Sequence, residues 1–548
     1  MTPSVPAPSE RPPRSGRSVA IGAVAVSLAT AVILVATAGD YGLTFDEPVY
    51  VEGADRVADW FGGLVSADGA ASFGRQRLEQ SWVFARPENR NLPVPTLVCC
   101  LGRAIGGRWL APLSSYRFGH CLLMAATVGI LFGCLARTYG WEVACVAAGS
   151  LLLLPQVFAH AHLNATDVPV SAFWVLALLA WSGSGTSWIK STLPAIACGL
   201  GLATKATFVL LPLLLVAWTI LFRRWGQWRA ALLLFLLSPC VMLMLCPMWW
   251  PAPLSSSFEY FRTVFHSEDV WKIEVYYLGE TYVTGVRSLP WHNAWVLPAV
   301  TTPPWTLMLA TLGFVRGLRS RDRATVLWMM GAMVLPLLRM FPNTPGHDGV
   351  RLMLPSIFCL APLAGLGFAG LIERFRFLRE GRRSPVARWL VIVLLLAVSI
   401  AVLVSLHPYE MSYYSEAIGG LRGAAALGFE ISYWFEAYTP NALEQVQRQL
   451  PRGAKVWTYP KYDGYALLRQ WGLWREDLVE GDIGDADFLI LYARKSRFGG
   501  IPGIEQYYTR GRPIWSLRCQ GVQLIGLYPL HGTRRPPAAV PDSSDARL

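Results

Sequence analysis

The chain reads as a polytopic α-helical membrane protein of about eleven transmembrane helices, with a small C-terminal extracytoplasmic α/β domain. Three observations predict it. Of the 548 residues, 53% are hydrophobic and 15% charged, where soluble globular chains carry about 25% charged residues. There are 23 tryptophans, as expected where many helix ends sit at lipid headgroups. After residue 407 the long apolar runs stop, and short strand-like and helical stretches replace them.

Residues 1–17 are rich in Pro, Ser and Arg and read as a disordered cytoplasmic terminus. The first span is 18–38. It exceeds the roughly 7–15 apolar residues of a signal peptide, so it reads as a retained helix. Residues 40–115 are mixed and amphipathic, an external segment in which "VCCLGRAIGGRWL" reads as an interfacial helix. Further spans are expected at 116–136, 141–159, 168–187, 192–203, 206–222, 230–249, 297–316, 324–341, 351–371 and 388–406. The run 192–222 is longer than the roughly 20 residues one crossing needs. Lys205 interrupts it, so two short helices with a turn at Lys205 are expected.

Charge supports that division. Arg11, Arg14 and Arg17, then Arg223, Arg224 and Arg229, then Arg316 to Arg323, then Arg374 to Arg388 all fall on one side if there are eleven spans. That side is cytoplasmic by the bias of Lys and Arg to inner loops. The net charge of +12 therefore belongs to inter-helix loops and does not point to nucleic acid. The first loop, the 160–167 loop, the 250–296 segment and the tail share the outer face. The spans thus occupy 18–406, with external loops at 40–115 and 250–296. The α/β domain takes 407–532, and 533–548 reads as a disordered tail. Within that domain "DADFLILYARK" and "GVQLIGLYPL" read as strands, "NALEQVQRQL" and "GYALLRQW" as helices. Of the ten cysteines, seven lie in or beside apolar runs and read as small buried hydrophobes. The pair Cys99-Cys100 lacks the second pair that a zinc site needs.

The residues that carry chemistry lie on the outer face. Asp46 and Glu47 follow the first span directly. Adjacent residues do not face the same way on a helix, so one is expected to face a site while the other holds the loop or the acceptor. Helix capping is the plain alternative, with Pro48 in the first turn. Asp167, ahead of Pro169 at the start of a span, has the same two readings. Arg86, Arg90, Lys205 and Arg351 are cations at or inside span ends. They are functional candidates because such placement is costly, with snorkelling to headgroups as the alternative. No Walker or GxGxxG loop accompanies them, so the anion they imply is a lipid phosphate.

Several longer segments are specific. They are "TFDEPVYVEGA", "NATDVPVSAFWVLALLAW", "GLATKATFVLLPLLL", "YLGETYVTGVRSLPWHNAWVLPAVTTPPWTLML", "HDGVRLMLPSIFCLAPLAGLG", and "HPYEMSYYSEAIGGLRGA" with "YWFEA". In this order, from about 40 to 440, they resemble membrane glycosyltransferases of the GT-C fold. These are the protein O-mannosyltransferase family and its relatives that transfer aminoarabinose to lipid A. The chain departs from that pattern at "ENRNLPVP", where His or Lys before Pro-Pro is common, and at Ser415, where Asn is common.

The resemblance implies transfer of a sugar from a polyprenyl-phosphate donor to an acceptor hydroxyl in the bilayer of a bacterial inner or plasma membrane, on its extracytoplasmic face. The phosphate is already a good leaving group, so the chemistry needs one carboxylate to take the acceptor's proton, and in-line displacement inverts the anomeric carbon. Asp46 is the expected base, with Glu47 or Asp167 orienting the acceptor. Arg90, Lys205 and Arg351 are expected at the departing phosphate. Tyr50, His347 and His292 are candidate substrate contacts. No cofactor is certain. A divalent cation held by His266, His292 or His347 with nearby acids is a candidate. The rival class is a lipid-linked-sugar transporter or flippase, which would place binding groups near the midplane and show repeated halves. Here the acids lie at one face.

Overall fold

The structure, a computed structural model, describes residues 16–65, 69–185, 187–265 and 272–530. The expected disordered stretches 1–17 and 533–548 lie outside the described residues except for Gly16 and Arg17, which already belong to the first helix. His266 also lies outside them.

Helix α1 (Gly16–Thr37) leads through the first loop into α2 (Glu47–Leu64), α3 (Arg75–Ser81) and α4 (Pro93–Gly106). Then come α5 (Pro112–Tyr139), α6 (Trp141–Leu152), α7 (Pro155–His160), α8 (Asp167–Gly183), α9 (Trp188–Leu202), α10 (Leu210–Leu221) and α11 (Trp228–Met244). The expected external segment holds α12 (Pro253–Phe265) and a hairpin of β1 (Glu274–Tyr277) and β2 (Glu280–Val283). The bundle resumes with α13 (Asn293–Val300), α14 (Pro304–Ser320), α15 (Arg323–Arg339), α16 (Leu354–Phe358), α17 (Leu360–Arg374), α18 (Arg376–Arg379) and α19 (Ser384–Leu406).

Among the described residues five stretches are long and apolar enough to cross a membrane: Gly16–Thr37, Pro112–Tyr139, Trp225–Met244, Arg351–Arg374 and Ser384–Leu406. Several other expected spans are divided. The run 141–159 breaks into α6 and α7 at Pro155, and 297–316 into α13 and α14 at Pro304; proline lacks the N–H of an interior turn and is favoured at a helix start. The run 192–222 ends one helix at Leu202 and resumes after Lys205, whose backbone is extended. The lipid-facing character is plain on α1 and α19, which expose Ile21, Leu28, Val393, Leu394 and Val404. The interior helix α8 buries Trp174 and Trp181 completely. The chain is thus a polytopic α-helical membrane protein with a C-terminal β-sheet domain.

Helices α14 and α17 approach at two glycines. A Cβ at Gly313 would collide with the Leu363 carbonyl, and one at Gly367 with the Leu309 carbonyl. Small residues at such crossings let backbones meet and gain dispersion energy. Gly313→Val is therefore expected to destabilise by about 1–3 kcal/mol, the usual cost of overpacking. The check is a lowered unfolding midpoint in detergent, with Gly62→Ala, which meets open space, as the control.

The C-terminal domain begins with α20 (Gly420–Ala426) and α21 (Pro440–Gln449), and α22 (Tyr465–Gln470) and α23 (Ile504–Thr509) follow. Its strands β3 (Lys455–Tyr459), β4 (Val479–Glu480), β5 (Phe488–Tyr492), β6 (Trp515–Cys519) and β7 (Val522–Pro529) form one mixed sheet in the order β4-β3-β5-β7-β6. Strands β3, β4 and β5 are parallel, and β7 runs antiparallel to β5 and β6. The two-residue turn Gln520-Gly521 has positive φ at both positions, the geometry that suits a tight hairpin. The sheet is clamped to the first loop. Tyr462 donates its hydroxyl to the Leu43 carbonyl at 2.9 Å, and the Gly42 and Phe45 amides donate to Glu436 and Trp434 carbonyls at 3.1 Å.

Where α19 hands over to this domain, His407 lies between Glu410 (2.8 Å) and Asp40 (3.0 Å). Desolvation lowers its pKa, but hydrogen bonds and charge from Glu410 and Asp40 outweigh this and lift it from 6.5 to about 9. A raised folded pKa means that stability is fully present below pH 6.5 and is lost as pH rises through about 9. The unfolding midpoint of the wild type is expected to fall across that window, and His407→Gln is expected to flatten the fall.

Candidate active site

The first loop supplies Asp46. It stands at the N-cap of α2, but its side chain makes no capping bond. Oδ2 instead accepts from Arg351 Nη2 at 2.6 Å. Asp167 stands in the first turn of α8, after the N-cap Thr166, and its carboxylate is turned to two cations. Its Oδ2 accepts from Arg351 Nε at 2.8 Å, and its Oδ1 from Lys205 Nζ at 3.0 Å. Both acids therefore look away from their helices toward a common point, and the capping alternative falls away.

Arg351 is that point. Its third nitrogen, Nη1, donates to Asp348 Oδ2 at 3.0 Å, and its guanidinium carbon lies 3.9 Å from the centre of the Trp434 ring. Asp348 in turn accepts from Arg494 Nη2 at 2.9 Å, and Arg494 also donates to the Tyr433 carbonyl at 2.8 Å. Three carboxylates and three cations from five parts of the chain thus form one network: the first loop, α8, the link before α10, the 342–353 segment and the sheet domain. Charges this enclosed persist only when paired and hydrogen-bonded.

Accessibility separates the members. The Asp167 side chain is sealed, Arg351, Asp348 and Arg494 are nearly so, and Asp46 keeps 31% of its side chain exposed. Asp46 Oδ1 has no hydrogen-bond partner among the described residues. Desolvation raises the Asp46 pKa, and this outweighs the opposing effect of Arg351. Burial also raises that of Asp348, but Arg494, His347 and Arg351 bring it below the ordinary value. Desolvation lowers His347 to about 4, so it is neutral at pH 7. Of the three acids, Asp46 alone is both reachable and shifted toward greater basicity.

Glu47 behaves differently from its neighbour. Its side chain is completely buried against Arg117 of α5. Arg117 donates to both Glu47 oxygens and to the carbonyls of Ala38, Tyr41 and Gly42. Glu47 also accepts from the Thr44 and Asn164 amides. One buried pair therefore ties the first loop to α5 and to the 160–167 loop. Of the two roles open to this acidic pair, Glu47 takes the loop-holding one, because a sealed carboxylate cannot touch an acceptor.

The remaining expected residues divide. Tyr50, one turn after Asp46 on α2, is buried and interacts electrostatically with Asp46, Arg351 and Tyr260. Tyr260 interacts in the same way with Arg90, which places Arg90 on the α12 side of the network. His347 lies 4.0 Å from Asp348. His292 stands apart, its Nδ1 2.8 Å from the Tyr277 hydroxyl. Arg351 was expected at a phosphate, yet each of its nitrogens already meets a carboxylate. Lys205 spends only one of its three N–H groups on Asp167.

Among the described residues no three His, Cys, Asp or Glu side chains are grouped as a metal site. His266 lies outside the described residues, and the converging acids enclose a guanidinium. Sequence reasoning passed over Asp348, Arg494 and Arg117. Arg117 carried a usable signal, a cation inside an apolar run. Asp348 lies in the loop just before Arg351, and Arg494 at the end of the strand-like stretch "DADFLILYARK".

Residues 93–250 match the family model described as dolichyl-phosphate-mannose-protein mannosyltransferase. This stretch contains the "NATDVPV" and "GLATKATF" segments, so the match bears out the resemblance there. Among solved structures the chain is similar to ArnT from Cupriavidus metallidurans in the apo state, at 15% identity and a TM-score of 0.49, covering 93% of this chain and 98% of that one. The same protein bound to undecaprenyl phosphate gives 15% identity, coverage of 92% and 97%, and a TM-score of 0.49. The Archaeoglobus fulgidus oligosaccharyltransferase in the apo form gives 13% identity, coverage of 83% and 59%, and a TM-score of 0.48. No curated protein matches the chain.

Proposed function

We propose that this protein is a membrane glycosyltransferase with eleven spans and GT-C architecture. It moves a sugar from a polyprenyl-phosphate donor to an acceptor hydroxyl at the extracytoplasmic face, with inversion at the anomeric carbon. The observation that carries the reading is Asp46, a half-buried carboxylate fixed through one oxygen and open at the other.

The roles follow from the contacts. Arg351 holds Asp46 by Oδ2, which fixes the direction of Oδ1. Oδ1 takes the acceptor's proton as the hydroxyl oxygen bonds to the anomeric carbon. The bond from that carbon to the phosphate oxygen breaks on the opposite side, and the phosphate leaves as an anion. General-base catalysis of this kind contributes about 10²–10⁴-fold. Asp167 and Asp348 hold Arg351 in place and balance its charge. Glu47 fixes the loop that carries Asp46. Lys205 and Arg90 offer positive charge to the leaving phosphate, where pre-aimed cations are most effective. The sheet domain contributes Arg494 to the network and covers the site. The donor's chain stays in the bilayer while its sugar reaches the boundary, which accounts for a charged site at the ends of apolar helices.

The test incubates purified protein with a panel of polyprenyl-phosphate sugars and candidate acceptors, with mass analysis and anomeric assignment of products. An inverted glycoside from one donor is expected. Movement of intact lipid-linked sugar across vesicles without any product would favour the flippase class instead.

A further inference from the structure

The interior holds four buried arginines among the described residues: Arg117, Arg339, Arg351 and Arg388. Three of them have carboxylate partners, namely Glu47 for Arg117, the aspartate cluster for Arg351 and Glu142 for Arg388. Arg339 has none. Its Nη2 donates to the Asn293 side chain at 2.8 Å and to the Gly346 carbonyl at 2.6 Å, both neutral acceptors. Its Nε and Nη1 are buried without any partner. An uncompensated guanidinium in a protein interior costs several kcal/mol, and one near a membrane span end is a functional candidate by default.

The surroundings suggest what would compensate it. Ala332, Pro336 and Arg339 follow one another at helical spacing on a single face of α15. Ala332 and Pro336 line an apolar cavity of about 330 Å³, with Trp295, Pro298, Phe314 and Ile357 on its other walls. A second apolar groove shares Ala299, Leu307 and Thr311 with it and continues past Met308 and Leu312 of α14. Arg339 stands one turn beyond this stripe. The loop that covers it, through Gly346, runs on into Asp348 and Arg351 of the candidate active site. The Tyr277 hydroxyl, bonded to His292, is an electrostatic neighbour of Arg339. Arg339 does not itself line either groove, but an apolar groove with a cation lacking a carboxylate one helical turn beyond it matches an anionic head on a long chain.

We propose that Arg339 is a binding residue for the phosphate of a polyprenyl phosphate whose chain occupies the cavity between α13, α14, α15 and α17. The inference rests on the proposed function for the identity of the lipid. It adds a third cation to Lys205 and Arg90, since each nitrogen of Arg351 is already held by a carboxylate. The arginine fork suits a phosphate through paired N–H donors, and reaching Nε and Nη1 requires the 341–347 loop to shift.

The test is the rise in unfolding midpoint of purified protein titrated with undecaprenyl phosphate, with dioleoylphosphatidylglycerol and inorganic phosphate as separate arms. Wild type is expected to gain stability with undecaprenyl phosphate only. Arg339→Met is expected to lose that gain. Arg339→Lys, which keeps the charge but not the fork, is expected to weaken apparent affinity by about 10-fold, the scale of lost charged hydrogen bonds. Asp46→Asn should keep the full gain, which separates binding here from the base assigned above. Equal titrations of wild type and both Arg339 variants would overturn the proposal. So would no gain with undecaprenyl phosphate, or an equal gain with the phospholipid or with free phosphate.

Discussion

Asp46→Asn is expected to lower sugar transfer by at least about 10²-fold, the lower bound for loss of a general base, while the protein accumulates and unfolds as the wild type does. The amide oxygen of Asn still accepts from Arg351 Nη2, so the 2.6 Å contact has a substitute and the first loop is not released. What disappears is the lone pair able to accept the acceptor's proton, because an amide is not a base near neutral pH. Arg351 also keeps Asp167 and Asp348 as partners, which limits the stability effect. A steady-state transfer assay beside a thermal melt reads both quantities. Near wild-type transfer would remove Asp46 as base.

Glu47→Ala, one residue on, is expected to fail in a different way. It strips the partner from Arg117, a guanidinium with no exposed side-chain surface. Breaking a buried pair by removing one member costs about 3–5 kcal/mol, because the other charge is left unpaired. The Thr44 and Asn164 amides lose their acceptor at the same time. The protein is expected to accumulate poorly or to melt early, and activity should fall in proportion to folded protein. Replacing the pair together, Glu47→Leu with Arg117→Met, is expected to recover much of the stability, since apolar substitutes for buried ion pairs are often neutral or better. A double-mutant cycle on unfolding midpoints checks this. Strictly additive losses would show that the two side chains do not act as a pair.

The contrast between these neighbours shows where sequence reading reached its limit. Carboxylates at the ends of apolar runs stand out because such positions are costly, and that made Asp46 and Asp167 legible. The same reasoning found Lys205 and Arg351, and the structure joins all four. Nothing local distinguishes Asp46 from Glu47, because which of them meets Arg117 depends on how α5 packs against the first loop. Asp348 lies three residues before Arg351, a local contact, whereas its second partner, Arg494, reaches it only through the fold. Arg494 comes from a domain whose sequence looked chemically inert, and its part depends on the docking of β5 against the bundle. Long apolar helices such as α5 and α19 were legible as hydrophobic runs. Pro155 and Pro304 cut two other runs into shorter helices, which run length and apolar content do not show. Strands β5 and β7 were legible as apolar stretches, whereas β3 and β6 were not read, being short and partly polar.

The most direct measurement is the pH dependence of kcat/KM for transfer by purified wild type and Asp46→Asn. The acid limb of such a profile reports the free enzyme's base, which must be deprotonated to act. Because desolvation raises the Asp46 pKa above its ordinary value of 3.8, the wild-type rate is expected to fall as pH drops through a value above 3.8. The variant is expected to show a low residual rate with no such limb. An acid limb at the same position in both proteins, with rates of the same order, would contradict the assignment of Asp46 as the base.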